Sequence, residues 1–283
     1  MRKPLLTRVK EHIEHSPWFS HAVPIEIASV PFTADSTSCR AGAKYVDYDY
    51  AWLSALAAGR ARFLDVGAGF GFTAMLCAGR MRRDGRCLLV DMSRENLGHE
   101  IRNLVRAGIH GRADLVFARA GAESLLDAAA LEASRISPAA GARDALQRLR
   151  RIRGEAGETT IDALSARFDF APDLVKIDVE GAERYVLAGA AVTVAKHRPV
   201  IQVELHSFPP MTMRENAAAV LAWCQQHGYA MWYLARAVRV DDAEILATRG
   251  RCHVVLLPPN VDYPAALRGI TQLANVAPPA PAS

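Results

Sequence analysis

The chain of 283 residues has no apolar run approaching the ~20 residues that span a bilayer, so no membrane association is expected. It also lacks a Cys-x-x-Cys pair. Its five cysteines, Cys39, Cys77, Cys87, Cys224 and Cys252, are odd in number and scattered, which argues against a disulfide framework and a structural zinc site. A reducing compartment is the simplest setting, and the cytoplasm is expected. Residues 1–20 are basic but lack the apolar core and small-residue cleavage site of a secretory leader. The net charge of +4 comes from mixed charges without the concentrated basic face of a nucleic-acid binder, which disfavours that partner. There is no internal repeat. One further absence is local. A dinucleotide fingerprint starting Gly67-x-Gly69 would need glycine at position 72, where the chain has Phe72.

What is present is an alternation of short apolar runs and amphipathic stretches. Phe63–Val66, Arg86–Val90 and Asp114–Ala118 read as the first three strands, with helices from Thr73 to Arg82 and from Arg94 to Ala107 between them. A fourth strand is expected at Asp173–Glu180, with a helix from about Ala182 to Ala195. A fifth is expected at Val200–His206, followed by a long helix near Glu215–His227. Tyr229–Leu234 and His253–Leu257 complete seven strands, the last pair suggesting an antiparallel edge. Such alternation is the signature of a mostly parallel, doubly wound α/β sheet.

The expected organisation has three parts. Residues 1–58 form an N-terminal helical extension and lid: Leu5, Leu6, Val9 and Ile13 suit one side of a docking helix, and an irregular Pro17–Asp49 stretch follows. Tyr45–Tyr50, rich in phenol and carboxylate, is either a surface loop or a substrate-facing lid. Residues 59–260 form the main domain, with a helical insertion at about 123–157 that carries Arg143, Arg148, Arg150, Arg151 and Arg153. That basic helix is a solvated face or a surface for an acidic substrate or partner. Residues 261–283 form a tail whose end, Ala277–Ser283, is expected to be disordered.

Two constellations carry chemistry. The first is Asp65-Val66-Gly67-Ala68-Gly69-Phe70-Gly71, with Asp91 and Met92 ending the next strand. Glycines let the backbone turn sharply and approach a ligand closely. Asp91, twenty residues beyond Gly71, is placed to accept both hydroxyls of an adenosine ribose. An acid two residues before the first glycine would repel a pyrophosphate. It suits the ammonium and sulfonium of S-adenosylmethionine, which is therefore the expected cofactor. The small-residue turn with Gly121 and Ala122 is the candidate seat for the adenine.

The second constellation is Asp178, Glu180 and Glu183, with Glu204 and His206 ending the adjacent strand. In an open α/β sheet this edge is where ligands bind. A hydroxyl acceptor needs a base, and histidine has a suitable unperturbed pKa. His206 is thus a candidate base, or a loop histidine with a structural hydrogen bond. Asp178, Glu180 and Glu204 are candidates for orienting the acceptor or taking its proton. Asp178, Glu204 and His206 are also candidate ligands for a divalent ion, but their spacing matches no closed ligand motif, and no metal site is assigned.

At these residues the chain resembles the FkbM family of methyltransferases. The matching pieces are Leu64-Asp65-Val66-Gly67-Ala68 with Gly71, Thr160-Ile161-Asp162-Ala163-Leu164, Lys176-Ile177-Asp178-Val179-Glu180-Gly181-Ala182-Glu183, and Arg198-Pro199-Val200-Ile201 with Glu204. The resemblance runs in order from about Phe63 to Pro258. It implies a class I, Rossmann-like fold and an S-adenosylmethionine-dependent O-methyltransferase. The implied acceptor is a small molecule or glycan, with a hydroxyl on a sugar, glycan or secondary metabolite. By the same resemblance Asp65, Gly67 and Gly71 fall in the cofactor turn and Asp91 at the ribose. The chain departs from the family at Gly69, where asparagine is frequent, and in the long segment between strands three and four. Other acceptors (a nitrogen or RNA), a nicotinamide-dependent oxidoreductase, a non-catalytic binding module and a homo-oligomer stay open on the sequence.

Overall fold

The computed structural model describes residues 22–28, 30–42 and 49–270. The expected docking helix, most of Tyr45–Tyr50 and the tail end from Ala277 lie outside them. A β-hairpin opens the described chain: β1 (Ala22–Ile27) pairs antiparallel with β2 (Val30–Asp35), and α1 (Ser36–Gly42) follows. An irregular stretch was expected here. Pro24 and Pro31 are tolerated because this two-stranded sheet has open edges on both sides.

The large sheet is built from β3 (Arg62–Val66), β4 (Arg86–Asp91), β5 (Ala113–Ala120), β6 (Arg135–Ile136), β7 (Gly157–Thr159), β8 (Leu174–Ile177), β9 (Val200–His206), β10 (Ala230–Tyr233), β11 (Val238–Arg239) and β12 (Arg251–Leu257). Its order is β11-β10-β12-β9-β8-β3-β4-β5-β6, with β7 paired to β5. Seven strands were expected, and all seven are there. Three short ones, β6, β7 and β11, are added. The antiparallel strand β12 is not at an edge: it lies between β9 and β10, pairing antiparallel with both. Strands β3, β4, β5, β8 and β9 are parallel. Parallel strands are covered on both faces and so read as near-continuous apolar runs, as these do.

The remaining helices are α2 (Asp49–Ala57), α3 (Phe72–Arg80), α4 (Arg94–Arg106), α5 (Ala128–Ala133), α6 (Ala142–Arg151), α7 (Ile161–Arg167), α8 (Glu183–Ala188), α9 (Ala191–His197), α10 (Met213–His227) and α11 (Ala265–Arg268). The helix expected over 182–195 is split into α8 and α9 at Gly189-Ala190. Two apolar layers cover the sheet. One packs Phe63, Leu89, Leu115, Leu174 and Val255 against Trp52, Met75, Leu97 and Ile101. The other packs Val66, Val90, Ile177, Val203 and Val254 against Val186, Val194 and Val220. The hairpin joins the first layer through Ile27 and Ala34. Asp35 ties it to α4, accepting from Arg106 at 2.6 Å and lying 3.0 Å from His99 Nδ1.

The chain first builds outward from β3 through β4 to β5, then crosses back to β8 and β9 on the other side of β3. The direction of winding therefore reverses between β3 and β8. In a doubly wound sheet the ligand crevice forms at this switch, outside the C-terminal ends of the strands.

Candidate active site

Gly67 ends β3 at this crevice. Its φ is +82°, in the left-handed region, and a Cβ placed there would lie 1.8 Å from the Asp178 carbonyl oxygen. No side chain fits, so the turns after β3 and β8 pack backbone to backbone, joined by the Asp178 amide donating to Val66 O at 2.9 Å. The amides of Gly67 and Ala68 donate to Val90 O, and that of Gly69 to Asp91 Oδ2 at 2.9 Å. The glycine turn is thus fastened to the ends of β4 and β8.

Two cavities meet there. One, of about 350 Å³, is lined by Gly67, Ala68, Gly69, Tyr50, Thr73, Lys176, Asp178, Glu180, Glu204 and Arg251, among others. The other, of about 370 Å³, is lined by Val90, Asp91, Met92, Ala118, Arg119, Ala120, Asp178, Val179 and Glu180, among others. Gly67, Gly69, Asn96, Asp178 and Glu180 line both. The first offers charges of both signs. The second is walled by Val90, Met92, Ala118, Ala120 and Val179, and carries Asp91 and Arg119 besides the shared Asp178 and Glu180.

A family model described as the methyltransferase FkbM domain matches residues 65–231, more than half of the chain. The chain belongs to the FkbM methyltransferase family. No curated protein matches it. Among solved structures, an FkbM methyltransferase from Methylobacillus flagellatus is 16% identical, with a TM-score of 0.43, over 70% of this chain and 43% of that one. This FkbM chain therefore spans less than half the length of that relative. A Klebsiella pneumoniae protein assigned as an O-methyltransferase is 15% identical over 92% of each chain, with a TM-score of 0.43. A Streptococcus pneumoniae protein assigned as a tRNA methyltransferase, in complex with S-adenosyl-L-methionine, is 10% identical over 78% of this chain and 77% of that one, with a TM-score of 0.42.

Within the FkbM domain, Gly67, Ala68, Gly69, Asp91, Met92, Asp178, Glu180 and Glu204 all line the joined cavities. Gly71 does not. It sits at the N-terminus of α3 with φ +79°, where a Cβ would meet Glu100 Cγ at 2.9 Å. Asp65 does not reach a cavity either. It is fully buried, accepts from the Thr73 hydroxyl, and burial pushes its carboxyl up to about 6. Thr73 and Lys176 line the first cavity in its stead. Gly121 and Ala122 lie outside the second. The Gly121 amide is tied to Thr159 O on β7 at 2.8 Å, so the wall expected there is made by Ala118 and Ala120 instead.

The strand carrying Lys176 ends at Ile177, three residues before Glu180, which adopts φ +52°. Asp178 and Glu180 therefore sit on the turn beyond β8 and not within it. Register sets Lys176 between Asp65 on β3 and Gln202 on β9. Lys176 Nζ is 2.9 Å from Asp178 Oδ2. Burial opposes the charge on Asp178, yet the Lys176 ammonium beside it holds the carboxyl below its ordinary value.

His206 is buried among carboxylates. Its Nδ1 is 3.0 Å from Glu183 Oε1, and its Nε2 is 3.5 Å from both Glu180 Oε2 and Glu204 Oε1. Burial opposes protonation, but hydrogen bonding to Glu183 and Glu204 and the charges of Glu204 and Glu180 raise it to about 10. At neutral pH His206 is thus an imidazolium. The expectation of a ready base at His206 is set against this charge, since a group already protonated cannot accept the proton.

Glu183 is a brace. It is fully buried, and its carboxylate accepts from Gly181 N at 2.9 Å, His206 Nδ1 at 3.0 Å and Asn216 Nδ2 at 2.8 Å. The donor atoms of Asp178, Glu204 and His206 all lie within 4.8 Å of one another, close enough for one cation. Each is already countered, however: Asp178 by Lys176, Glu204 by Arg251 at 3.1 Å, and His206 carries a proton. A metal ligand histidine must be neutral, so an ion would first have to displace that proton.

Sequence reasoning missed Asn96 and Arg251, whereas Tyr50 belongs to the stretch expected as a surface loop or lid and lines the first cavity. Asn96 had a local signal, since it follows Asp91 by five residues in a Ser93-capped helix start, and its Nδ2 lies 3.2 Å from Asp91 Oδ2. Arg251 had none. It reaches the site because it stands opposite His206 in the β9–β12 register.

Proposed function

We propose that the chain transfers the methyl group of S-adenosylmethionine to a hydroxyl of a sugar, glycan or other secondary metabolite. The observation that carries this reading is the meeting of two unlike cavities at Gly67 and Asp178. One is polar with charges of both signs, as a zwitterionic amino-acid portion requires. The other sets the Asp91 carboxylate beside apolar walls at Val90, Ala118, Ala120 and Val179, as a nucleoside requires. The methionine portion lies toward Lys176, Asp178, Glu204 and Arg251. The adenosine lies against Val90, Ala118 and Ala120, with its ribose hydroxyls donating to Asp91. Asp91 is held for this by the amides of Gly69 and Ser93 and by Asn96. The sulfonium then falls near the shared boundary.

The acceptor oxygen attacks the methyl carbon in line, and the carbon–sulfur bond breaks to leave S-adenosylhomocysteine. Positioning supplies much of the rate. The hydroxyl proton passes to a carboxylate. Glu180 is the assigned base, because it lines both cavities and its side chain is 81% exposed toward an incoming acceptor. Glu204 orients the hydroxyl, and the His206 imidazolium holds Glu180 and Glu204 in place. Because Lys176, Arg251 and the His206 proton balance the carboxylates, turnover without added divalent metal is part of the reading. So is the division of the chain near residue 58 into an N-terminal extension and a methyltransferase domain.

The test is Glu180→Gln. It should leave S-adenosylmethionine affinity unchanged by calorimetry and lower turnover by about 10²-fold or more, as loss of a general base does. Full turnover in that variant removes Glu180 as the base.

A further inference from the structure

A further cavity lies away from the crevice, between α4 and the insertion helix α6. It measures about 550 Å³, within the roughly 300–1,000 Å³ range of small-ligand sites. Leu146, Leu149 and Ile152 give it an apolar floor. Arg94, Arg102, Arg150 and Arg153 stand around it, against one carboxylate, Glu95.

Among the described residues those guanidinium charges are only partly countered. Arg94 donates to two carbonyls, Leu149 O at 3.0 Å and Gly154 O at 2.6 Å, and lies over the Phe117 ring. Arg102 is 3.9 Å from Asp35, which Arg106 already holds at 2.6 Å, and its buried Nε makes no hydrogen bond among the described residues. Arg150 and Arg153 are exposed. A guanidinium fork matches phosphate and carboxylate oxygens bidentately.

We propose that this groove binds a small anionic amphiphile, a phosphate or carboxylate head on an apolar body, with the head among the arginines and the body on Leu146 and Leu149. A bare anion would leave the floor uncovered. A neutral amphiphile would leave the guanidiniums unmatched. Gly98 of α4 keeps the space open: a Cβ there would stand 3.8 Å from Arg102 Nη1 and 4.0 Å from Leu146 Cδ2, so a longer side chain would enter the groove.

The experiment is calorimetric titration of the full chain with octyl phosphate, octanoate, inorganic phosphate and octyl glucoside. At least one octyl anion should bind at a single site about tenfold or more tightly than inorganic phosphate and octyl glucoside, and which octyl anion binds tighter identifies the head. The double variant Arg150→Gln/Arg153→Gln alters only exposed side chains. It should keep the wild-type thermal midpoint and weaken that binding about tenfold. Gly98→Leu should abolish it. Octyl glucoside binding equally well would show simple apolar adsorption and overturn the proposal. So would inorganic phosphate binding equally well, binding that survives both variants, or no saturable binding by any probe.

Discussion

Gly67 and Gly69 make a paired test of how the cofactor turn is built. Both have left-handed backbones, with φ of +82° and +59°. Alanine at either position pays the left-handed conformational cost of about 1–2 kcal/mol. Their surroundings differ. A Cβ on Gly69 meets nothing within 4 Å, whereas one on Gly67 lies 1.8 Å from the Asp178 carbonyl oxygen and 2.9 Å from its carbon. That clash is with backbone, so no rotamer relieves it, and forcing atoms into a packed site adds roughly 1–3 kcal/mol. Gly69→Ala should therefore cost about 1–2 kcal/mol and Gly67→Ala roughly 2–5 kcal/mol. Urea denaturation followed by circular dichroism reads both. Because Gly67 lies where the two cavities meet, its variant should also lose S-adenosylmethionine affinity, measured by calorimetry under native conditions. Equal stability losses in the two variants would refute the close packing of the β3 and β8 turns.

Three further outcomes are expected. Asp91→Ala should weaken S-adenosylmethionine by about tenfold or more, since a charge-assisted ribose contact is worth roughly 1.5–3 kcal/mol; unchanged calorimetric affinity would remove its ribose role. Glu183→Ala should destabilise the fold by about 3–5 kcal/mol in denaturant, because it strands the buried His206 charge and Asn216 amide; a loss near zero would show Glu183 to be dispensable as a brace. Burial opposes the charge on Asp35, but His99, Arg106 and Arg102 hold its folded carboxyl well below the ordinary 3.8. Its stabilisation is therefore present above about pH 4 and lost as pH falls through the folded value. An Asp35→Asn variant should show a flatter acid limb of stability against pH, and an unchanged limb would count against the network.

Much of the fold could be read directly because parallel central strands are covered on both faces. Runs such as Phe63–Val66 and Val200–His206 stand out for that reason. The hairpin was not legible. Its alternating strands, Ala22–Ile27 and Val30–Asp35, are short and contain Pro24 and Pro31, which read as loop. At the site, the places of the glycine turn and Asp91 were legible because they follow directly from the ends of β3 and β4. Gly121 and Ala122 were misplaced because β7, a strand of three residues, captures the Gly121 amide from 38 residues away. His206 was identified but its charge was not. The acids that set it, Glu180, Glu183 and Glu204, come together only when α8 packs against β9. Arg251 depends on a register between distant strands, which no local pattern encodes.

The most direct test of methyl transfer to a hydroxyl is a mass-shift screen. The chain is incubated with methyl-deuterated S-adenosylmethionine and a panel of lysate metabolites and glycans. The predicted result is an acceptor that gains one deuterated methyl as an ether, with S-adenosylhomocysteine formed in equal amount and no dependence on added divalent metal. A label found on nitrogen, or saturable NAD(H) binding with no methyl transfer to any acceptor, would contradict the account.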